Sequence, residues 1–137
     1  MSIADEIETR LKSHAGLAAL IADRAYPVKL PQESTTLFPA VAFRQVSEGR
    51  RPLSGRDAAI VTSRWQLDVL GITAASVHDV ALQIKGSASV SGALDRWTVA
   101  NGSVVVHYTE LLLDSEIYDH EAALFVRNLD FRIDYEE

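Results

Sequence analysis

The chain has 137 residues, 47% of them apolar and 23% charged, with a net charge of −6 and no cysteine. That composition excludes a disordered chain and fits one globular domain, residues 1–137, which can bury about two-thirds of the surface its unfolded form exposes. It also excludes a disulfide framework, a thiolate nucleophile and a Cys-ligated zinc site, and the acidic balance argues against a sequence-independent nucleic-acid binder. No apolar run approaches the ~20 residues of a membrane span. Asp5, Glu6 and Glu8 stand where a signal peptide carries lysines, so no export is expected.

In chain order, Ser2 is placed to cap a helix whose Ile3, Ile7 and Leu11 recur every fourth residue. His14-Ala15-Gly16 interrupts it, and Leu17 to Ala22 reads as a second, short apolar helix. Ala25 to Leu30 reads as a short strand at a sheet edge, where Pro27 is tolerated. Ala40 to Ser47 forms a second strand with Val41 and Phe43 on one face, followed by a polar loop, 48–58. Trp65, Leu67 and Val69 alternate with Arg64, Gln66 and Asp68 in a third strand ended by Gly71. Thr73 caps a helix to about Lys85, striped by Val77, Val80, Ala81 and Ile84 and stopped by Gly86. Arg96 to Val99 and Val104 to Leu113 are expected to pair across the hairpin signal Asn101-Gly102, with a polar loop, 114–121, after them. The last strand is the clearest: Leu129, Phe131, Ile133 and Tyr135 on one face, Asp130, Arg132 and Asp134 on the other.

These elements predict an α+β domain, a mostly antiparallel, mixed sheet of four to six strands with about three helices packed on it. The strand–helix–strand step around residues 73–86 suggests one parallel pair, because such crossovers join parallel neighbours.

Reactive chemistry is hard to assemble from these residues. His14 sits at a helix end, where an imidazolium favours the carbonyl dipoles. His78 reads as a surface residue, and His107 as solvent-facing or near a subunit contact. Asp114, Glu116, Asp119 and Glu121 surround His120, a set that could hold a divalent cation but that matches no calcium-loop spacing and reads far better as a solvated acidic loop. Gly49 and Gly55 lack the Lys-Ser/Thr and helix start of a phosphate loop. Arg50, Arg51 and Arg56 form a basic cluster without interleaved aromatics, better suited to ordering against a protein partner than to a nucleic-acid groove. No enzyme activity, cofactor or metal is expected.

Four segments in order resemble the tail-completion, or tail terminator (head–tail joining), family of long-tailed bacteriophages and of related prophage or gene-transfer particles. They are Leu20-Ile21-Ala22-Asp23-Arg24-Ala25-Tyr26-Pro27; Phe38-Pro39-Ala40-Val41-Ala42-Phe43; Arg64-Trp65-Gln66-Leu67-Asp68-Val69 with its capped helix; and Asp114 leading to Arg127-x-Leu-Asp-Phe-Arg-Ile. The resemblance spans nearly the whole chain. It implies a structural virion protein of the tail or neck, assembled in the host bacterial cytoplasm. Such a protein forms a six-subunit ring on the head-proximal end of the tail tube and ends tube polymerisation. Its implied partners are other copies of itself, the tail tube protein and the head–tail connector or stopper, with DNA passing through the lumen unbound and no membrane involved. A ring needs two different complementary surfaces per subunit. The candidate interface residues are Arg50, Arg51, Arg56, Arg64, Asp68, Asp130, Arg132 and Asp134. The alternatives are a connector or stopper on the portal side, or a small α+β enzyme or ligand-binding domain using the His120 loop.

Overall fold

A computed structural model describes residues 2–28, 38–52, 59–100 and 104–136. Eight elements follow one another: α1 (Ile3–Ser13), α2 (Ala15–Ile21), β1 (Ala25–Pro27), β2 (Ala40–Pro52), β3 (Ala59–Gly71), α3 (Ala74–Lys85), β4 (Val105–Asp119) and β5 (Leu124–Glu136). The five strands form one mixed sheet in the order β1-β2-β3-β5-β4, and the fold is α+β as expected. No helix among the described residues is long and apolar enough to cross a membrane.

The helix signals work as local chemistry predicts. Ser2 and Asp5 form a reciprocal capping box at the start of α1, and Thr73 Oγ1 accepts the Ser76 amide at 3.1 Å to start α3. Gly86 ends α3 with φ +76, and a Cβ there would lie 2.9 Å from the Gly92 amide nitrogen. His14 differs from expectation. Its Nδ1 accepts the Leu17 amide at 3.1 Å while Nε2 lies 2.8 Å from the Ser91 carbonyl oxygen. A neutral ring protonated at Nε2 satisfies both contacts, so the side chain caps the start of α2 rather than countering the end of α1.

One face of the sheet carries the core. Val61, Trp65, Leu67 and Val69 of β3 and Leu129, Phe131, Ile133 and Tyr135 of β5 are buried with Val41 and Phe43 of β2. Against them pack Ile3, Ile7 and Leu11 of α1, Leu17 and Ile21 of α2, and the α3 stripe of Val77, Val80, Ala81 and Ile84. Inside this layer Trp65 Nε1 donates to Ser63 Oγ at 3.0 Å, and the Ser63 hydroxyl donates to the Ile133 carbonyl at 2.9 Å. Arg24 donates to the Pro39 carbonyl from Nε at 3.0 Å and to the Leu20 carbonyl from Nη2 at 3.2 Å, tying the end of α2 to the start of β2.

Four expectations are corrected. The parallel pair is β1 with β2 (Ala25 opposite Val41), because β5 inserts between β3 and β4 and is antiparallel to both. Residues 48–52 continue β2 instead of opening a loop, paired through Pro52 opposite Ala59. Residues 114–119 continue β4, and the turn to β5 spans only 120–123, where Asp119 Oδ1 accepts the Glu121 amide at 3.0 Å. Residues 96–99 supply only an isolated bridge, Val99 to Val106, and Asn101-Gly102 lies outside the described residues.

Candidate interaction surface

The sheet face turned away from the helices carries a field of alternating charges. Period-2 alternation delivers it: every second residue of β3 and β5 that is not in the core points this way. Arg64 stands opposite Arg132, and Gln66 opposite Asp130. Two like charges directly opposite repel, and each guanidinium is diverted to a carboxylate. Arg64 Nη2 reaches Asp130 Oδ2 at 2.6 Å, while Arg132 takes Asp134 in a fork, at 3.1 Å from Nε and 2.9 Å from Nη2. Arg44 of β2 donates to Gln66 Oε1 at 3.0 Å, and Gln66 Nε2 to Asp68 Oδ1 at 2.8 Å. On β4 the Arg132 guanidinium lies 5.8 Å from the centre of the Tyr108 ring, whose hydroxyl donates to Glu110 at 3.0 Å. That bond to Glu110 holds the phenol above its ordinary range.

The structure therefore brings together Arg64, Asp68, Asp130, Arg132 and Asp134, the five candidate residues drawn from β3 and β5. Arg50 lies farther along β2, opposite Val61, and Arg51 pairs through its backbone with Ile60. Arg56 lies outside the described residues.

A second cluster sits on the helix side of the β4–β5 hairpin and was not anticipated. Asp114 accepts a bidentate pair from Arg127, Nε at 2.7 Å and Nη2 at 2.9 Å, and a third bond from Lys85 Nζ at 2.6 Å. Arg127 Nη1 lies 3.1 Å from His78 Nδ1, an acceptor in the neutral ring. The Arg127 bonds, aided by Lys85 and opposed by burial, lower the Asp114 carboxyl to about 2. This cluster pins the hairpin to α3. Its signal is cross-strand proximity, which the sequence separation of Asp114 from Arg127 and Lys85 does not reveal.

The same correction dismantles the expected acidic loop. Asp114 is committed to α3 and Arg127, whereas His120 lies in the turn, its ring edge-on to Tyr118 at 4.9 Å. Among the described residues no group of three or more histidine or carboxylate side chains is arranged to hold a metal. His107 is half-exposed, its Nε2 3.2 Å from Glu136 Oε2.

No family model matches the chain, and no curated protein does. Among solved structures it is similar to a chain of one described as "Virion of native gene transfer agent (GTA) particle". The TM-score is 0.68 at 20% identity, over 96% of this chain and 92% of that one. At that identity the likeness establishes a shared fold.

Proposed function

We propose that this protein is a structural virion component that caps the head-proximal end of a tail tube as a six-subunit ring. In that role it ends tube polymerisation and joins the tail to the head connector. The observation that carries the reading is the whole-chain fold likeness to a chain of a gene transfer agent virion, covering 96% of this protein. Supporting it is the character of the sheet's outer face, where the half-exposed side chains of Arg64 and Arg132 are held by the largely covered carboxylates of Asp130 and Asp134. Ordered charges of mixed sign set register and exclude wrong partners more than they add affinity. The resemblance of Asp23-Arg24-Ala25-Tyr26-Pro27 and Phe38-Pro39 to tail-completion proteins adds to it, with Arg24 joining the two segments through the Pro39 carbonyl. The protein acts through surfaces and transforms no bound molecule.

Such a ring forms conditionally. Each subunit is held by two neighbours and the tube end, so individually weak contacts sum to a stable cap. The net charge of −6 suits a lumen through which DNA passes without adhering. The test is tube-length control. Tail tube protein polymerised with this protein present gives short, capped tubes that stop growing. Growth to the same length distribution at every ratio of the two proteins refutes the reading.

A further inference from the structure

We infer that the edge of β4 from Leu113 to Asp119 takes an extended segment of a different protein as an added strand, one in which basic and apolar side chains alternate. Such a contact is independent of the ring.

β4 changes character along its length. Between Val105 and Leu113 two bulges break its register against β5, and on the other side Val99 bridges Val106. Bulges twist an edge away from further pairing. From Leu113 to Asp119 the ladder with β5 is unbroken, Leu113 opposite Asp130 through to Asp119 opposite Leu124. Every residue of that stretch is described and none is buried. It holds no proline, and Leu113 and Ile117 are 51% and 56% exposed. β4 ends the strand order, so among the described residues no strand pairs with this stretch on the side away from β5. In an antiparallel ladder alternate residues direct N–H and C=O away from the partner strand, and a regular edge of this kind is a template for another strand.

The rows that cross the sheet define what an added strand carries. On the outer face Leu70 stands opposite Val126 and Val126 opposite Ile117, an apolar row that crosses three strands and stops at the edge. Leu113, on the same face, ends the row of Gln66 and Asp130. An added strand continues the first row with an apolar side chain beside Ile117 and covers Leu113 with another. On the helix face Arg127 stands opposite Glu116. The Arg127 guanidinium is engaged by Asp114 through Nε and Nη2, and Glu116 is exposed. A lysine or arginine on the added strand continues the alternation of sign from Arg127 through Glu116.

Side chains of one strand alternate between the two faces, so the occupant reads basic, apolar, basic, apolar. Its main chain supplies affinity, and its alternate side chains supply choice. Asp119 and Glu121, both exposed at the end of the same stretch, add to the preference for a cation. The same charges disfavour the β4 edge of a second copy: an antiparallel pair centred on Glu116 sets glutamate against glutamate.

The experiment titrates a short acetylated peptide of alternating valine and lysine into isotope-labelled full-length protein and follows the backbone amides by NMR. Shifts confined to residues 113–119 and their β5 partners are expected. A valine–glutamate peptide, and a peptide with the same valines and lysines in two blocks, bind about tenfold more weakly. Glu116→Gln weakens binding of the valine–lysine peptide about threefold and leaves that of a valine–glutamine peptide unchanged. Equal affinity for the alternating and block peptides, shifts centred elsewhere, or no binding at millimolar peptide overturns the proposal, as does an unaltered affinity in Glu116→Gln. Shifts at 113–119 that grow with protein concentration alone place a second copy on the edge and also overturn it.

Discussion

Replacing Asp114 with Asn tests whether the β4–β5 hairpin is anchored electrostatically to α3. The carboxylate receives three charge-assisted bonds from Arg127 and Lys85 and titrates at about 2 rather than 3.8. Its folded value is depressed, so the associated stability is fully present above the unfolded value of 3.8 and is lost as pH falls toward 2. A difference of about 1.8 units at 1.36 kcal/mol each gives a ceiling of about 2.4 kcal/mol. The Asp114 side chain keeps 18% of its exposure, and screening by solvent lowers the expected contribution to about 1–2 kcal/mol. Urea unfolding monitored by tryptophan fluorescence measures it. Asp114→Asn is expected to lose that amount at pH 7 and to approach the wild type at pH 2. Equal stability at pH 7, or a gap that persists undiminished at pH 2, refutes the reasoning.

Further outcomes follow from the same contacts. Phe131→Ala, emptying a fully buried site in the interior strand β5, costs about 3–5 kcal/mol in a denaturation midpoint analysis. His14→Ala removes the side-chain acceptor of the Leu17 amide and costs about 1 kcal/mol, while His14→Asn retains most of it by keeping a capping oxygen. Arg64→Glu leaves Asp130, whose side chain is only 10% exposed, facing a second carboxylate; it is expected to cost about 1–3 kcal/mol in urea unfolding and to prevent capping in the tube-length assay. Wild-type capping by folded Arg64→Glu removes the outer face from the proposed interface.

Where the apolar pattern kept phase, the fold was legible in the residues. β5 alternates through Leu129, Phe131, Ile133 and Tyr135, and α3 is bracketed by Thr73 and Gly86, so both were readable. β4 was not, for a physical reason. Bulges between Val106 and Tyr108 and between Leu111 and Leu113 shift its phase, leaving Val106 and Thr109 buried three apart. Beyond Leu113 the hairpin carries exposed Glu116, Ile117 and Tyr118, so polar and apolar residues mix as in a loop. A bulge between Gln45 and Ser47 similarly masked the far half of β2. The charged face was visible because Asp130, Arg132 and Asp134 fall on one side of β5 whatever the strand order. The Asp114–Arg127–Lys85 cluster depends on which strands pair, a relation that spacing alone does not encode.

The proposed ring requires copies of this chain to close around an axis. Class-averaged end views of tail tubes incubated with the protein test it most directly. Six-fold density seated on one end of each tube is the predicted result; bare tube ends at saturating protein, or a compact two-subunit particle that ignores the tubes, would contradict it.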